Sequence, residues 1–129
     1  MSIPVELRSL ADAIGRYRFA YLLTNRAGSA PHAVAVVPIL DEGELRIDGV
    51  GRRTRENLLA QPWVSLVWPP ETEAEYSLIV DGEGALDDGS LRVRPSRAVL
   101  HRPAPRPAPV APGACASDCV ELELPAPSA

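Results

Sequence analysis

The chain has no lysine; all 13 of its basic residues are arginine. Schiff-base catalysis and the lysine-bearing phosphate loop are excluded on that ground alone. Aromatic residues make up only 5% of the sequence, with a single Phe, so any core must be filled by Val, Leu and Ala. Two cysteines, Cys115 and Cys119, are too few for a multiply bridged secreted scaffold, although one short-loop disulfide stays open. Long apolar runs are missing too. The longest, Ala33 to Leu40, contains Pro38 and falls far short of the roughly 18 residues of a membrane span, so no membrane association is expected. Positive charge is also in deficit, at −4 net, which argues against a nucleic-acid partner. The start Met-Ser-Ile-Pro-Val-Glu lacks the basic and apolar stretches of a targeting signal, so a cytoplasmic location is expected.

What is present suits one small domain in a 129-residue chain. Ile3 to Gly15 reads as an N-terminal helix, with Ser2 as cap, Pro4 in the first turn, Leu7, Leu10, Ala11 and Ile14 on one face, and Gly15 as stop. Strand periodicity begins at Phe19 to Asn25, turns at Arg26 to Ser29, and resumes at His32 to Leu40. A third strand follows in which Leu45 and Ile47 alternate with charged residues, and the three are expected to form a meander. Arg52 to Gln61 reads as a short inserted helix with Leu58 and Leu59 inward, ended by Pro62. Val64 to Trp68, Tyr76 to Leu86 and Leu91 to Pro95 are the next strands, and Ser96 to Leu100 is expected to make one helical turn. The spaced prolines from Pro103 to Pro112 force an extended segment. The expected organisation is a domain over 1–102, a Pro-rich linker over 103–114, and a tail over 115–129 holding a last strand around Val120, Leu122 and Leu124. The expected fold is mainly β (α+β), a six- to seven-stranded antiparallel split β-barrel with a short inserted helix and an N-terminal helix.

The segment Gly49-Val50-Gly51-Arg52-Arg53-Thr54-Arg55-Glu56-Asn57 carries the most chemical information. Arginines at a helix N-terminus oppose the helix dipole unless an anion sits among them. The glycines let backbone approach a ligand, Thr54 offers a hydroxyl, and guanidinium forks match phosphate. A solvated basic turn partnered by Glu56 is an equally weighted alternative on these residues alone. Cys115, Cys119, His32 and His101 make a formal Cys2His2 set, but their spacing matches no zinc module, and no metal is expected. His32 begins a strand and could approach a ligand's edge. No G-x-S-x-G elbow is present.

From about Phe19 to Leu86 the chain resembles the pyridoxamine 5'-phosphate oxidase-like split β-barrels, which bind FMN and, in some branches, the deazaflavin F420. The likeness lies in Pro31-His32-Ala33-Val34, the basic helix start, Asn57-Leu58 followed by Pro62, and Val64-Ser65-Leu66-Val67-Trp68. The segment Leu91 to Pro103 and the Cys tail resemble an actinobacterial branch of that family more than any enzyme of known substrate. The resemblance implies a flavin-dependent oxidoreductase acting on a small molecule as a homodimer. It puts the FMN phosphate at Arg52, Arg53 and Thr54, the ring against Val34, Ala35 and Val36 and against Asp48 and Gly49, and a further polar contact at Tyr76. It names no catalytic residue. Where members commonly carry lysine beside the phosphate-binding arginine, this chain has Thr54. An F420-dependent reductase and a binding module without cofactor are the alternatives.

Overall fold

A computed structural model describes residues 5–103 and the backbone of 117–122. The first hairpin joins β1 (Ala20–Thr24) to β2 (His32–Val36), with Leu22 opposite Val34 and Thr24 opposite His32. β3 (Ile39–Asp41) and β4 (Glu44–Asp48) form a second hairpin. After α2 (Arg52–Ala60) come β5 (Trp63–Trp68), β6 (Ser77–Asp87), β7 (Ser90–Pro103) and β8 (Ser117–Leu122). All pairings are antiparallel.

The order across the sheet is β2-β1-β5-β6-β7-β4-β3, and β8 pairs with β7 outside that path. β2 and β3 sit at its opposite ends although only Val37 and Pro38 separate them in the chain. A two-residue link cannot cross a flat seven-stranded sheet, since neighbouring strands lie about 4.8 Å apart. The sheet therefore curls until its ends meet, and the barrel is split between β2 and β3.

Strand alternation sends one row inward. Val34, Leu22, Leu66, Val80 and Ala98 follow one another across five strands. Leu22, Leu66, Val80 and Ala98 are fully buried, as are Leu45, Leu78, Leu91 and Val93. Burying each Leu contributes about 1.5–3 kcal/mol. A 3-10 turn (Leu7–Ser9) leads into α1 (Leu10–Ile14), which closes one end of the barrel with Leu10 and Ala13. α2 packs on β6 where Gly84 has no side chain. A Cβ there would lie 2.9 Å from both Leu58 Cδ2 and Leu91 Cδ1, so glycine is what lets helix and strand approach.

Several elements depart from the sequence reading. The long second strand divides at Val37-Pro38 into β2 and β3, because the link must switch sheet ends. No three-stranded meander forms, since β4 pairs with β7 and not with β2. Ser96 to Leu100 is strand rather than helix. Ala98 and Val99 are buried, and a register shift opposite Asp81 and Gly82 absorbs Ser96 next to Pro95, the kind of site where a strand tolerates proline. Ala13, not Ala11, faces the core, and Leu59 is 81% exposed while Leu58 alone turns inward. The N-terminal cap residues, Cys115 and most of the Pro-rich linker lie outside the described residues; the backbone of Cys119 lies on β8 opposite His101.

Candidate functional site

A cleft of about 720 Å³ opens where β2, the end of β4 and the start of α2 converge. Its apolar walls are Phe19, Val34, Val36, Val37, Ile47 and Val50; its polar end holds His32, Asp48, Arg52 and Arg53. The sheet topology explains the convergence, because β2 and β3 flank the split, β4 lies next to β3, and the Gly49-Val50-Gly51 bridge carries the chain from β4 into α2.

The polar end is built by an uncapped helix. Gly51 is the N-cap residue and can supply no side-chain oxygen. The first helical bond runs from the Arg55 N–H to the Gly51 carbonyl at 3.1 Å, which leaves the N–H groups of Arg52, Arg53 and Thr54 without intrahelical acceptors. No acid lies in the first turn, whereas Arg52, Arg53 and Arg55 all do. Partial positive charge from the helix and formal charge from the arginines thus add at one place. Gly51 sits at φ −75° and ψ 171°, which any residue adopts, and a Cβ there would meet nothing within 4 Å. Neither backbone conformation nor packing requires glycine at 51, and the space its missing side chain leaves adjoins the unpaired N–H groups. These are features of an anion cradle.

The surrounding charges are tied down. Arg52 pairs with Glu56 at 3.5 Å, and Arg26 reaches the same carboxylate at 3.6 Å. Asp48 accepts a hydrogen bond from Ser90 Oγ at 2.8 Å and pairs with Arg46 at 3.4 Å. Thr54, which also lines the cleft, is 1% exposed. One turn later the buried Asn57 donates from Nδ2 to Thr24 Oγ1 at 3.0 Å, which fastens α2 to β1.

Eight of the nine cofactor residues that the resemblance implies line this cleft, namely Val34, Ala35, Val36, Asp48, Gly49, Arg52, Arg53 and Thr54, and His32 lines it with them. Tyr76 does not. It lines a second cleft of about 1120 Å³, between α1 and the loop before β6, where Arg102 covers its ring at 4.5 Å and its carbonyl accepts from the Tyr17 hydroxyl at 2.8 Å. Burial holds the Tyr17 hydroxyl above its ordinary range, with Arg16 acting against the shift and Glu75 with it. Phe19 lines both clefts. Sequence reasoning passed over Phe19, Val37 and Ile47, yet the scarcity of aromatics was a usable signal for Phe19, the one Phe in the chain. Among the described residues no group of three or more His, Cys, Asp or Glu is placed to hold a metal, and no helix is long and apolar enough to cross a membrane.

No family model matches the chain. An uncharacterized protein of Mycobacterium bovis is 42% identical, over 94% of this chain and 96% of that protein. Among solved structures, a Listeria innocua protein named for pyridoxamine 5'-phosphate oxidase superposes with a TM-score of 0.62 at 12% identity, covering 73% of this chain and 96% of its own. An F420 reductase superposes with a TM-score of 0.56 at 18% identity, covering 67% and 93%. The chain belongs to one family with the mycobacterial protein, an actinobacterial branch whose fold is the pyridoxamine 5'-phosphate oxidase-like split β-barrel.

Proposed function

We propose that the chain is a flavin-binding oxidoreductase that holds FMN in the cleft between β2, β4 and α2. The observation that carries this reading is the uncapped N-terminus of α2, with Gly51 leaving room that the fold itself does not need. Arg53 and the N–H groups of Arg52 to Thr54 would hold the phosphate, and Asp48 and Gly49 would bound the ring at the end of β4. Val34 and Val36, with the backbone of Ala35 between them, would form the wall opposite, and the apolar side chains of Ile47 and Val50 would continue it. When bound, the flavin supplies hydride transfer to or from a small molecule, which fits a chain whose sequence names no nucleophile. The protein's part is to bind, orient and exclude water. Tyr76, in the neighbouring cleft, would contribute from beyond Phe19 or from a second copy.

A second copy is part of the proposal. On the outer face of the sheet Ala35, Tyr21, Val67 and Ile79 lie side by side across four strands, and Tyr21 is 42% exposed. An apolar row of that length suits a self-complementary interface. Light scattering at micromolar concentration should give twice the chain mass, and a wild-type monomer would remove the dimer from the account.

F420 is the second reading, favoured by the likeness to the F420 reductase. Titrating the full chain with FMN and with F420 separates the two. Saturable binding of one is expected, and Arg53→Ala should weaken it about ten- to hundredfold, the loss of one charge-assisted hydrogen bond of roughly 1.5–3 kcal/mol. Binding of neither would leave the non-catalytic module as the better account.

A further inference from the structure

The larger of the two clefts, at about 1120 Å³, lies outside the proposed cofactor site. Of the one Phe, two Trp and three Tyr in the chain, Tyr17, Phe19 and Tyr76 line it, and Pro69 and Pro70 extend its apolar wall. Half of a scarce residue class faces one space.

Each of these aromatics is held by a contact of its own. The chain keeps turning after α1, with the Arg16 N–H on the Ala13 carbonyl at 3.3 Å and the Tyr17 N–H on the Ile14 carbonyl at 3.0 Å. That turn delivers the Tyr17 hydroxyl to the Tyr76 carbonyl at 2.8 Å. Arg102 lies over the Tyr76 ring at 4.5 Å, and the rings of Phe19 and Tyr21 meet edge to face with 5.2 Å between centroids. The walls are therefore set before any ligand arrives, which lowers the ordering cost of binding.

The charges around the cleft fall into two groups. Arg18 pairs with Glu71 at 3.6 Å, Glu75 accepts from the Thr72 hydroxyl at 3.2 Å, and Arg102 is engaged with Tyr76 and with the Ala74 carbonyl at 3.3 Å. Asp12 and Arg16 remain. Both line the cleft from exposed positions on α1 and the turn after it, and among the described residues neither side chain makes an ion pair or hydrogen bond. One free charge of each sign thus borders an aromatic wall. Planar rings pack on such walls in offset or edge-on contact. A ligand carrying both signs would meet both free charges, whereas a singly charged one would leave one of them unmatched.

We propose that the second cleft binds an aromatic zwitterion of the amino-acid class, with its ring against Tyr76 and Phe19, its carboxylate beside Arg16 and its ammonium beside Asp12. This binding does not rest on the cofactor reading. If that reading also holds, Phe19, the wall common to both clefts, sets this ligand one side chain away from the flavin.

L-Tryptophan is the probe. Tryptamine, which lacks the carboxylate, and indole-3-propionate, which lacks the ammonium, are its singly charged counterparts. The 15N-labelled full chain is titrated with each near neutral pH while the amides of Asp12 to Phe19 and of Tyr76 are followed. L-Tryptophan should shift these amides saturably and bind about two- to fivefold more tightly than either counterpart, the worth of one solvent-exposed charge pair. Arg16→Gln should weaken L-tryptophan and indole-3-propionate by a like factor and leave tryptamine unchanged. Asp12→Asn should weaken L-tryptophan and tryptamine and leave indole-3-propionate unchanged. Arg94→Gln, exposed on β7 outside both clefts, should change none of the three. No saturable shift at these amides with L-tryptophan, or variants at 12 and 16 that weaken all three probes alike or none of them, overturns the proposal. The crossed pattern supports it whatever FMN and F420 do, and failure of both cofactors to bind overturns the earlier reading alone.

Discussion

Gly51→Asp should make the protein more stable and a poorer binder at once. The N-cap position is extended and open, so the new side chain enters without strain. Its carboxylate would accept a hydrogen bond from the N–H of Arg53 or Thr54. Against glycine the cap itself gains a few tenths of a kcal/mol. A negative charge at the positive end of a helix adds about 0.3–1 kcal/mol, and removing glycine from the unfolded chain about 0.4–1 kcal/mol. The sum, about 1–2 kcal/mol, corresponds to a rise of about 3–8 °C in the melting temperature of a domain of this size. The same carboxylate occupies the donors assigned to the phosphate and repels it. Cofactor affinity should fall by at least about tenfold, or roughly 1.4 kcal/mol. Thermal unfolding of the cofactor-free protein and an FMN or F420 titration, run on one preparation, read both quantities. A lowered melting temperature would show that Gly51 serves the fold, and unchanged affinity would show that no anion sits at this helix start; either result refutes the reasoning.

The core and its attachments make further predictions. Gly84→Ala places a methyl 2.9 Å from Leu58 and Leu91 and should cost about 1–3 kcal/mol in denaturant unfolding. Thr24→Val leaves the buried Asn57 Nδ2 without its acceptor, in a side chain whose Oδ1 already has no partner among the described residues, and should cost about 1–3 kcal/mol. Tyr17→Phe removes the hydrogen bond to the Tyr76 carbonyl and should cost about 0.5–1.5 kcal/mol at neutral pH. Because the Tyr17 hydroxyl titrates above its ordinary value of 10.0, its contribution is complete below that pH and is lost as pH rises through the raised value. The gap between wild type and Tyr17→Phe should therefore close in strongly alkaline solution, as followed by urea midpoints.

Local pattern was enough to find most of the strands. Alternation marked β4 through Leu45 and Ile47, and the Arg52 start and Pro62 stop bounded α2 closely. The readings that failed were those decided by partners distant in the chain. Nothing near Pro38 announces that β2 and β3 lie at opposite ends of the sheet, since the switch is imposed by closure of the barrel. Ser96 to Leu100 has helical spacing, but eleven pairings between β6 and β7 outweigh a single isolated helical turn. At the cleft, the residues legible beforehand were those whose chemistry is local: glycines, arginines and a helix start. Phe19 and Ile47 reach it through the curvature of the sheet, and Thr54 is buried on the side of α2 that also carries the buried Asn57. Tyr76 illustrates the limit of transfer by position, for its place before β6 is as expected but the cleft it lines is a different one.

The central claim is that the start of α2 and the wall of β2 hold a phosphorylated flavin-type cofactor. Amide shifts of the 15N-labelled full chain, recorded before and after addition of FMN and then of F420, test it most directly. The account predicts saturable shifts centred on Gly49 to Thr54 and on Val34 to Val36, with little change in the β3–β4 turn. No shifts with either compound, or shifts confined to the cleft around Tyr17 and Tyr76, would contradict it.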